Sequence, residues 1–281
     1  MLSKSRKGIQ SDKYIKKRRK QGIILSILIV VVLGSFLSTL AFLSRAKFFH
    51  IDTIVVTGTV LVPRTSIESI VASGIDGSYM YLFAKDNIFL YPSNNIREDI
   101  THDLPPVSQV TFKRNGFHEL DVTVTERKAS GQSCDSTTGD CYFIDEQGFV
   151  YAKAPQFSAG VYITYSSAST TPTLGTYLAG PEYFEPAHQA INFFSTMGLT
   201  VHGITIPNSH MPISAQNDDY SIALKNPTIG TTTTDIAVYF NTSVPLDRSF
   251  TYFTAFWNHE TNKNFKTIDL RYGKDIVYTM Q

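Results

Sequence analysis

The sequence lacks most of the patterns on which enzyme chemistry depends. Its seven histidines (His50, His102, His118, His188, His202, His210 and His259) form no His-x-x-x-His or His-Glu-x-x-His pair, so a zinc hydrolase has no local support. There is no Gly-x-Ser-x-Gly elbow and no glycine-rich loop of the kind that cradles phosphate. The adjacent acids Asp145-Glu146 and Asp218-Asp219 fall in turn-like sequence, where carboxylates are ordinarily solvated and not a hydrolytic pair. His259-Glu260 stands near a predicted helix end, where the helix dipole accounts for it. Asn241-Thr-Ser243 fits a glycosylation sequon, a pattern short enough to arise by chance. No catalytic, cofactor-binding or metal-ligating residue is assigned, and no cofactor or small-molecule substrate is expected.

Cysteine is nearly absent as well. The two present, Cys134 and Cys141, bracket the polar stretch Asp135–Asp140. The spacing is not Cys-x-x-Cys, and no histidine lies close enough in sequence to complete a metal site. Gly139-Asp140 suits a hairpin tip. A disulfide stapling that loop is expected if this part of the chain lies in an oxidising compartment.

One long hydrophobic run is present. Ile23–Leu43 is 21 residues without a charge, preceded by nine Lys/Arg between Lys4 and Lys20. At about 1.5 Å per residue such a helix reaches ~30 Å, the thickness of a bilayer's hydrocarbon core. The run exceeds a secretory signal's apolar region, and Ser44-Arg45-Ala46 is a poor cleavage site, so an uncleaved anchor is expected. The basic flank places residues 1–22 in the cytoplasm and the rest outside it. Gly34 and Ser38 form a small-xxx-small pair, a spacing common in such helices that also permits close helix contact.

The near-neutral total hides an asymmetry. Beyond the apolar run remain 16 of 25 Lys/Arg against 23 of 24 Asp/Glu, a net charge of −7. An acidic segment argues against nucleic-acid binding, which needs clustered positive charge.

Periodicity divides the remainder in two. Phe48–Val56 predicts a strand. A helix is expected from Pro63, with Ile67, Ile70 and Val71 on one stripe and Gly74 stopping it. A second helix is expected over residues 94–104 through Ile96, Ile100 and Leu104. Val107–Arg114 and Glu119–Thr125 alternate about Asn115-Gly116, a hairpin signal. The β-α-α-β-β unit ends near Glu126-Arg127. From residue 128 onward short strands are expected at Cys141–Asp145, Phe149–Tyr151, Gly160–Tyr165, Val201–Ile206, Tyr220–Leu224 and Asp235–Phe240. A loop follows at Ser166–Pro172 and a turn at Thr231–Thr234. Helices are expected over Pro181–Met197 (Phe184, Ala187, Ile191, Phe194) and Leu246–His259 (Phe250, Phe253, Trp257). Phe265–Tyr272 and Asp275–Thr279 predict a final hairpin.

Four stretches carry a resemblance. Phe49-His-Ile51-Asp-Thr-Ile54-Val-Val56-Thr-Gly58 looks like the opening strand of a POTRA domain. Pro106–Arg114 followed by Leu120–Arg127, Phe143–Val150, and Ile268-Asp269-Leu270-Arg271-Tyr272 complete the set. With the basic tail and the single anchor, nearly the whole chain resembles the bacterial cell-division family FtsQ/DivIB. Lys128-Ala129 and Asn115-Gly116 depart from it, since the family often carries proline at those places.

The resemblance implies an α+β architecture: cytoplasmic tail (1–22), transmembrane helix (23–43), POTRA-like domain (48–127), and a β-rich domain (128–281) with two helices on a mainly antiparallel sheet. It also implies a non-enzymatic divisome scaffold in the cell (inner) membrane at the division septum, with its C-terminal domain extracytoplasmic. Its implied partners are FtsB/DivIC-like and FtsL-like coiled-coil membrane proteins. A membrane-anchored POTRA chaperone for secreted chains and a wall-modifying enzyme are the alternatives.

The last hairpin suggests how a partner would be held. In Ile268–Tyr272 the even-numbered residues share one face, suited to packing under the Trp257 helix, and Asp269 and Arg271 share the other. If Asp275–Thr279 is an open edge, an extended partner segment can add to it. Tyr272, Ile276, Val277 and Tyr278 would then supply contacts. Otherwise it is a terminal strand whose aromatics complete the core.

Overall fold

The computed structural model describes residues 12–155, 157, 160–167, 171–207, 219–225, 235–261 and 264–281. The first residues of the basic tail, His210, Asp218, the Thr231–Thr234 turn and the middle of the Ser166–Pro172 loop lie outside the described residues. The fold is mixed α+β, with one N-terminal apolar helix and a large sheet carrying helices. The chain forms two compact units: Met1–Thr57 with Pro63–Asp99 and Thr111–Thr123, and Gly58–Val62 with Ile100–Val110 and Val124–Gln281.

Helix α1 (Asp12–Ser44) dominates the start of the first unit. Its Arg19–Ser44 stretch is long and apolar enough to cross a membrane, and none of its most apolar window is buried by protein. The expected strand at Phe48 begins later. Lys47–Phe49 is a single 3₁₀ turn, and β1 covers only Thr53–Thr57. Phe48 and Phe49 pack instead in an aromatic group with Phe117, at 5.0 and 5.9 Å between ring centroids.

Helix α2 (Arg64–Ile75) follows Pro63 and buries Ile67, Val71 and Ile75. Gly74 does not stop this helix but lies in its last turn. A Cβ there would fall 2.6 Å from Cγ1 of Ile96, so the glycine lets α3 (Ser93–Asp103) approach closely. Between the helices a short hairpin, β2 (Ser78–Tyr79) and β3 (Phe83–Ala84), has no counterpart in the sequence periodicity. Strands β4 (Val107–Asn115) and β5 (Glu119–Glu126) complete a three-stranded sheet in the order β1-β5-β4, with β1 parallel to β5.

The second unit holds a nine-stranded sheet. Its strands are β6 (Gly131–Cys134), β7 (Cys141–Ile144), β8 (Val150–Ala154), β9 (Thr164–Ser167), β10 (Val201–Ile206), β11 (Asp219–Leu224), β12 (Ile236–Asn241), β13 (Phe265–Asp269) and β14 (Val277–Met280). The order is β14-β13-β12-β11-β10-β9-β6-β7-β8. Cys134 and Cys141 face each other across β6 and β7 and are disulfide-bonded, as the sequence suggested.

Parallel neighbours cannot be joined by a tight turn and need a crossover. Of the three parallel pairs, helix α4 (Phe184–Thr196) connects β9 to β10 and α5 (Leu246–His259) connects β12 to β13, while β6 and β9 are joined through β7 and β8. Both helices cover one face of the sheet, because Phe193 of α4 stacks on Phe250 of α5 at 4.2 Å. Alternation explains which strand residues they bury: Tyr220, Ile222 and Leu224 of β11, and Ile236, Val238 and Phe240 of β12. Burying such side chains contributes roughly 1.5–3 kcal/mol each.

Candidate partner-binding edge

Two strands end the large sheet, and they are finished differently. The beginning of β8 is covered: Val150 donates its N–H to the Thr176 carbonyl and accepts one from Gly175, and Phe149 bridges to Tyr177. Strand β14 lies at the opposite end. Among the described residues no strand pairs with its outer side. All four of its residues are exposed.

Hydrogen-bond direction alternates along a strand. Gln281 donates its N–H to the Asn264 carbonyl at 3.0 Å, which turns the odd-numbered amides inward toward β13. The amides of Tyr278 and Met280 therefore face outward. The strand pairs with β13 in the register Ile268↔Tyr278 and Asp269↔Val277, with a shift between Phe265 and Thr267.

The residues expected to touch a partner fall into three positions. Val277 (53% exposed) and Tyr278 (44%) lie on β14 itself. The Tyr278 ring also leans on Phe256 and Phe265, at 5.2 and 5.4 Å. Tyr272 is 62% exposed in the turn before β14, so it does not continue the face of Ile268 and Leu270, which are buried. The strand β13 ends at Asp269, and the turn Arg271–Lys274 swings Tyr272 out. Ile276 precedes β14 and packs against the core. Met280, exposed on β14, escaped the sequence reading because the predicted strand ended at Thr279. A groove of about 440 Å³ lined by Asp235, Lys266, Met280 and Gln281 extends the edge at its C-terminal end.

The turn that sets the position of β14 is fixed by charge. Arg271 donates from Nε and Nη2 to the two oxygens of Asp269 at 2.9 and 2.5 Å. Its Nη1 donates to Asp219 of β11 at 2.6 Å, and its guanidinium lies over the Tyr239 ring. Burial pulls the Asp269 carboxyl upward, but the bonds from Arg271 outweigh it and hold its pKa below the ordinary value of 3.8. The Asp269–Arg271 pairing thus clamps the hairpin turn to a central strand. The sequence placed both residues on a polar face but gave no sign of Asp219, 52 residues away from Arg271.

The acidic pair Asp145-Glu146 is structural at its first member. Asp145 is buried and takes the guanidinium of Arg127 at 2.5 Å, together with the N–H groups of Gln147 and Phe149. Burial pulls the Glu126 carboxyl upward, but it accepts three backbone N–H groups, from Leu61, Val62 and Val60, and together these hold its pKa below the ordinary value. The Glu126-Arg127 motif is thus a pair of clasps on segments distant in sequence, Val60–Val62 for Glu126 and Pro105 and Asp145 for Arg127. No protein-family model matches the chain, and no curated protein matches it.

Proposed function

We propose that this chain is a non-enzymatic, membrane-tethered scaffold that recruits a partner by pairing an extended segment of it with β14. The observation that carries this is the edge itself: a terminal strand with outward-facing amides, an unpaired side, and the exposed apolar residues Val277, Tyr278 and Met280. Exposed edges of this kind are normally blunted by charge, proline or a covering loop; Val277–Met280 contains no charge or proline, and among the described residues no strand covers its outer side.

The motif resemblance to FtsQ/DivIB supplies the identity of the partner: FtsB/DivIC-like and FtsL-like coiled-coil proteins of the division septum. On this reading α1 anchors the chain with its N-terminus in the cytoplasm, residues 48–127 form a POTRA-like domain, and residues 128–281 form the gripping domain. The order β1-β5-β4, with two helices between β1 and β4, supports the POTRA part.

The cleanest test exploits the amide directions. Val277→Pro would remove an inward bond and loosen the hairpin itself, whereas Met280→Pro removes an outward donor and leaves the β13 pairing in place. A net hydrogen bond contributes ~0.5–1.5 kcal/mol, so Met280→Pro should weaken capture of the coiled-coil partner up to about tenfold, with the thermal unfolding temperature unchanged. Undiminished capture would count against edge pairing. Equal capture of unrelated unfolded chains would favour the POTRA chaperone instead.

A further inference from the structure

The outer end of α1 carries a feature that partner recruitment does not use. The β2–β3 hairpin is stapled to it. Arg45 donates from Nη2 to the Tyr81 carbonyl at 2.5 Å, and Asn87, itself buried, donates from Nδ2 to the Ser44 carbonyl at 3.0 Å. The Ala84 N–H reaches the Ser44 hydroxyl at 3.4 Å. The hairpin is therefore held at the level where the apolar run ends.

Its tip is unusual in two ways at once. The turn is closed by the Leu82 N–H to the Tyr79 carbonyl at 2.9 Å, and its central residues, Met80 and Tyr81, have φ of 47° and 61°. Positive φ at both centres of a hairpin turn is the place for Asn-Gly, and a side chain there carries a steric cost. Met80 and Tyr81 are also 88% and 91% exposed. A hairpin meant for water would relieve both the strain and the apolar exposure with the same two substitutions.

Behind the tip an apolar groove of about 450 Å³ runs between α1 and the hairpin, lined by Leu40, Leu43, Phe83, Phe89 and Leu90 among others. Leu40 lies one helical turn inside the apolar run, about 5 Å below its end. A bilayer that surrounds α1 up to Leu43 therefore reaches the floor of this groove. The fringe is basic: Arg45 and Lys47 are exposed, Lys85 sits 5.8 Å from the Tyr79 ring and Arg114 5.3 Å from the Phe89 ring. Of the acids beside it, Asp86 is paired with His50 at 2.9 Å and Asp52 with His118 at 3.3 Å. Aromatic and apolar side chains ringed by Lys/Arg suit the headgroup region of a membrane.

Resting on α1 as a membrane span, we propose that the β2–β3 tip and the groove behind it form a second membrane contact, with Met80, Tyr81 and Leu82 in the headgroup–acyl boundary and the basic fringe on anionic lipid phosphates. It fixes how the first unit stands on the bilayer, which a single helix alone leaves free to swivel.

The test uses the full chain in vesicles of phosphatidylcholine and phosphatidylglycerol. Cys134 and Cys141 are paired, so Tyr81→Cys introduces the one thiol free for an environment-sensitive fluorophore. Phe36→Cys does the same within α1. Nitroxide lipids labelled near the headgroup should quench the probe at 81, and its emission should shift to the blue. Lipids labelled deep in the chains should quench the probe at 36. Quenching at 36 with none at 81 overturns the second contact and leaves the anchor standing, as does protection of 81 by a neighbouring protein helix instead of lipid. Loss of quenching at both positions overturns the anchor and this contact with it.

Discussion

Replacing Arg127 with alanine is expected to destabilise the second unit by about 3–5 kcal/mol, the usual cost of leaving a buried charge without its partner. The Asp145 carboxylate is the group left behind. Its side chain is 7% exposed, and that of Arg127 is 17% exposed. The guanidinium does more than neutralise it. Its Nε donates to the Pro105 carbonyl at 3.1 Å, and its plane lies 4.1 Å from the Phe149 ring centroid. Alanine removes the ion pair, the carbonyl's donor and the cation–π contact together. Removing the charge from the acid should limit the damage. Asparagine at 145 still offers an oxygen to the Gln147 and Phe149 N–H groups, so Arg127→Met with Asp145→Asn should recover a large part of the loss. Urea unfolding of the single and double variants measures this. An Arg127→Ala midpoint equal to that of the unaltered chain would show the clasp to be dispensable.

Gly148→Ala is expected to cost nearly as much, for steric reasons. The glycine turns the chain from β7 into β8 at φ 78°, where an L side chain is strained by ~1–2 kcal/mol. A Cβ built there would stand 1.9 Å from Cζ of Phe184, a fully buried ring at the start of α4. Overpacking of a core of this density typically adds about 1–3 kcal/mol, for a total of roughly 2–5 kcal/mol. The two parts are separable. Shortening the ring, with Phe184→Leu, should relieve the clash in the Gly148→Ala background but not the backbone term. Thermal unfolding of the four chains gives the coupling. A coupling of zero would mean that the Phe184 ring swings aside without cost.

What the sequence disclosed depended on how local each determinant was. The stripe Phe184–Ala187–Phe194 and the stripe through Phe253 and Trp257 repeat at three to four residues, and both helices lie where that spacing put them. Asn115-Gly116 marked the β4–β5 hairpin because the turn demands positive φ, and Gly116 supplies it at 70°. The β2–β3 hairpin escaped because Met80 and Tyr81 are not turn-forming residues, whatever their backbone angles. Strand β6, Gly-Gln-Ser-Cys, shows no apolar alternation; it exists because β7 and β9 lie on either side of it. Phe48 and Phe49 have strand propensity that an aromatic cluster formed by distant residues overrides. At the edge, the sequence left an open edge and a core-completing terminal strand as two readings, because exposure and the inward and outward amides depend on register with β13. The same holds for Asp145, whose turn-like surroundings suggested a solvated acid until Arg127, 18 residues earlier, closed over it.

Amide hydrogen exchange along β14, with and without the coiled-coil partner, tests the central claim most directly. If an incoming segment extends the sheet, the Tyr278 and Met280 amides exchange freely in the unbound chain and become protected in the complex, while those of Val277 and Thr279 are protected in both. Outward amides that exchange equally fast in the bound and unbound chain would mean that the partner is held somewhere else.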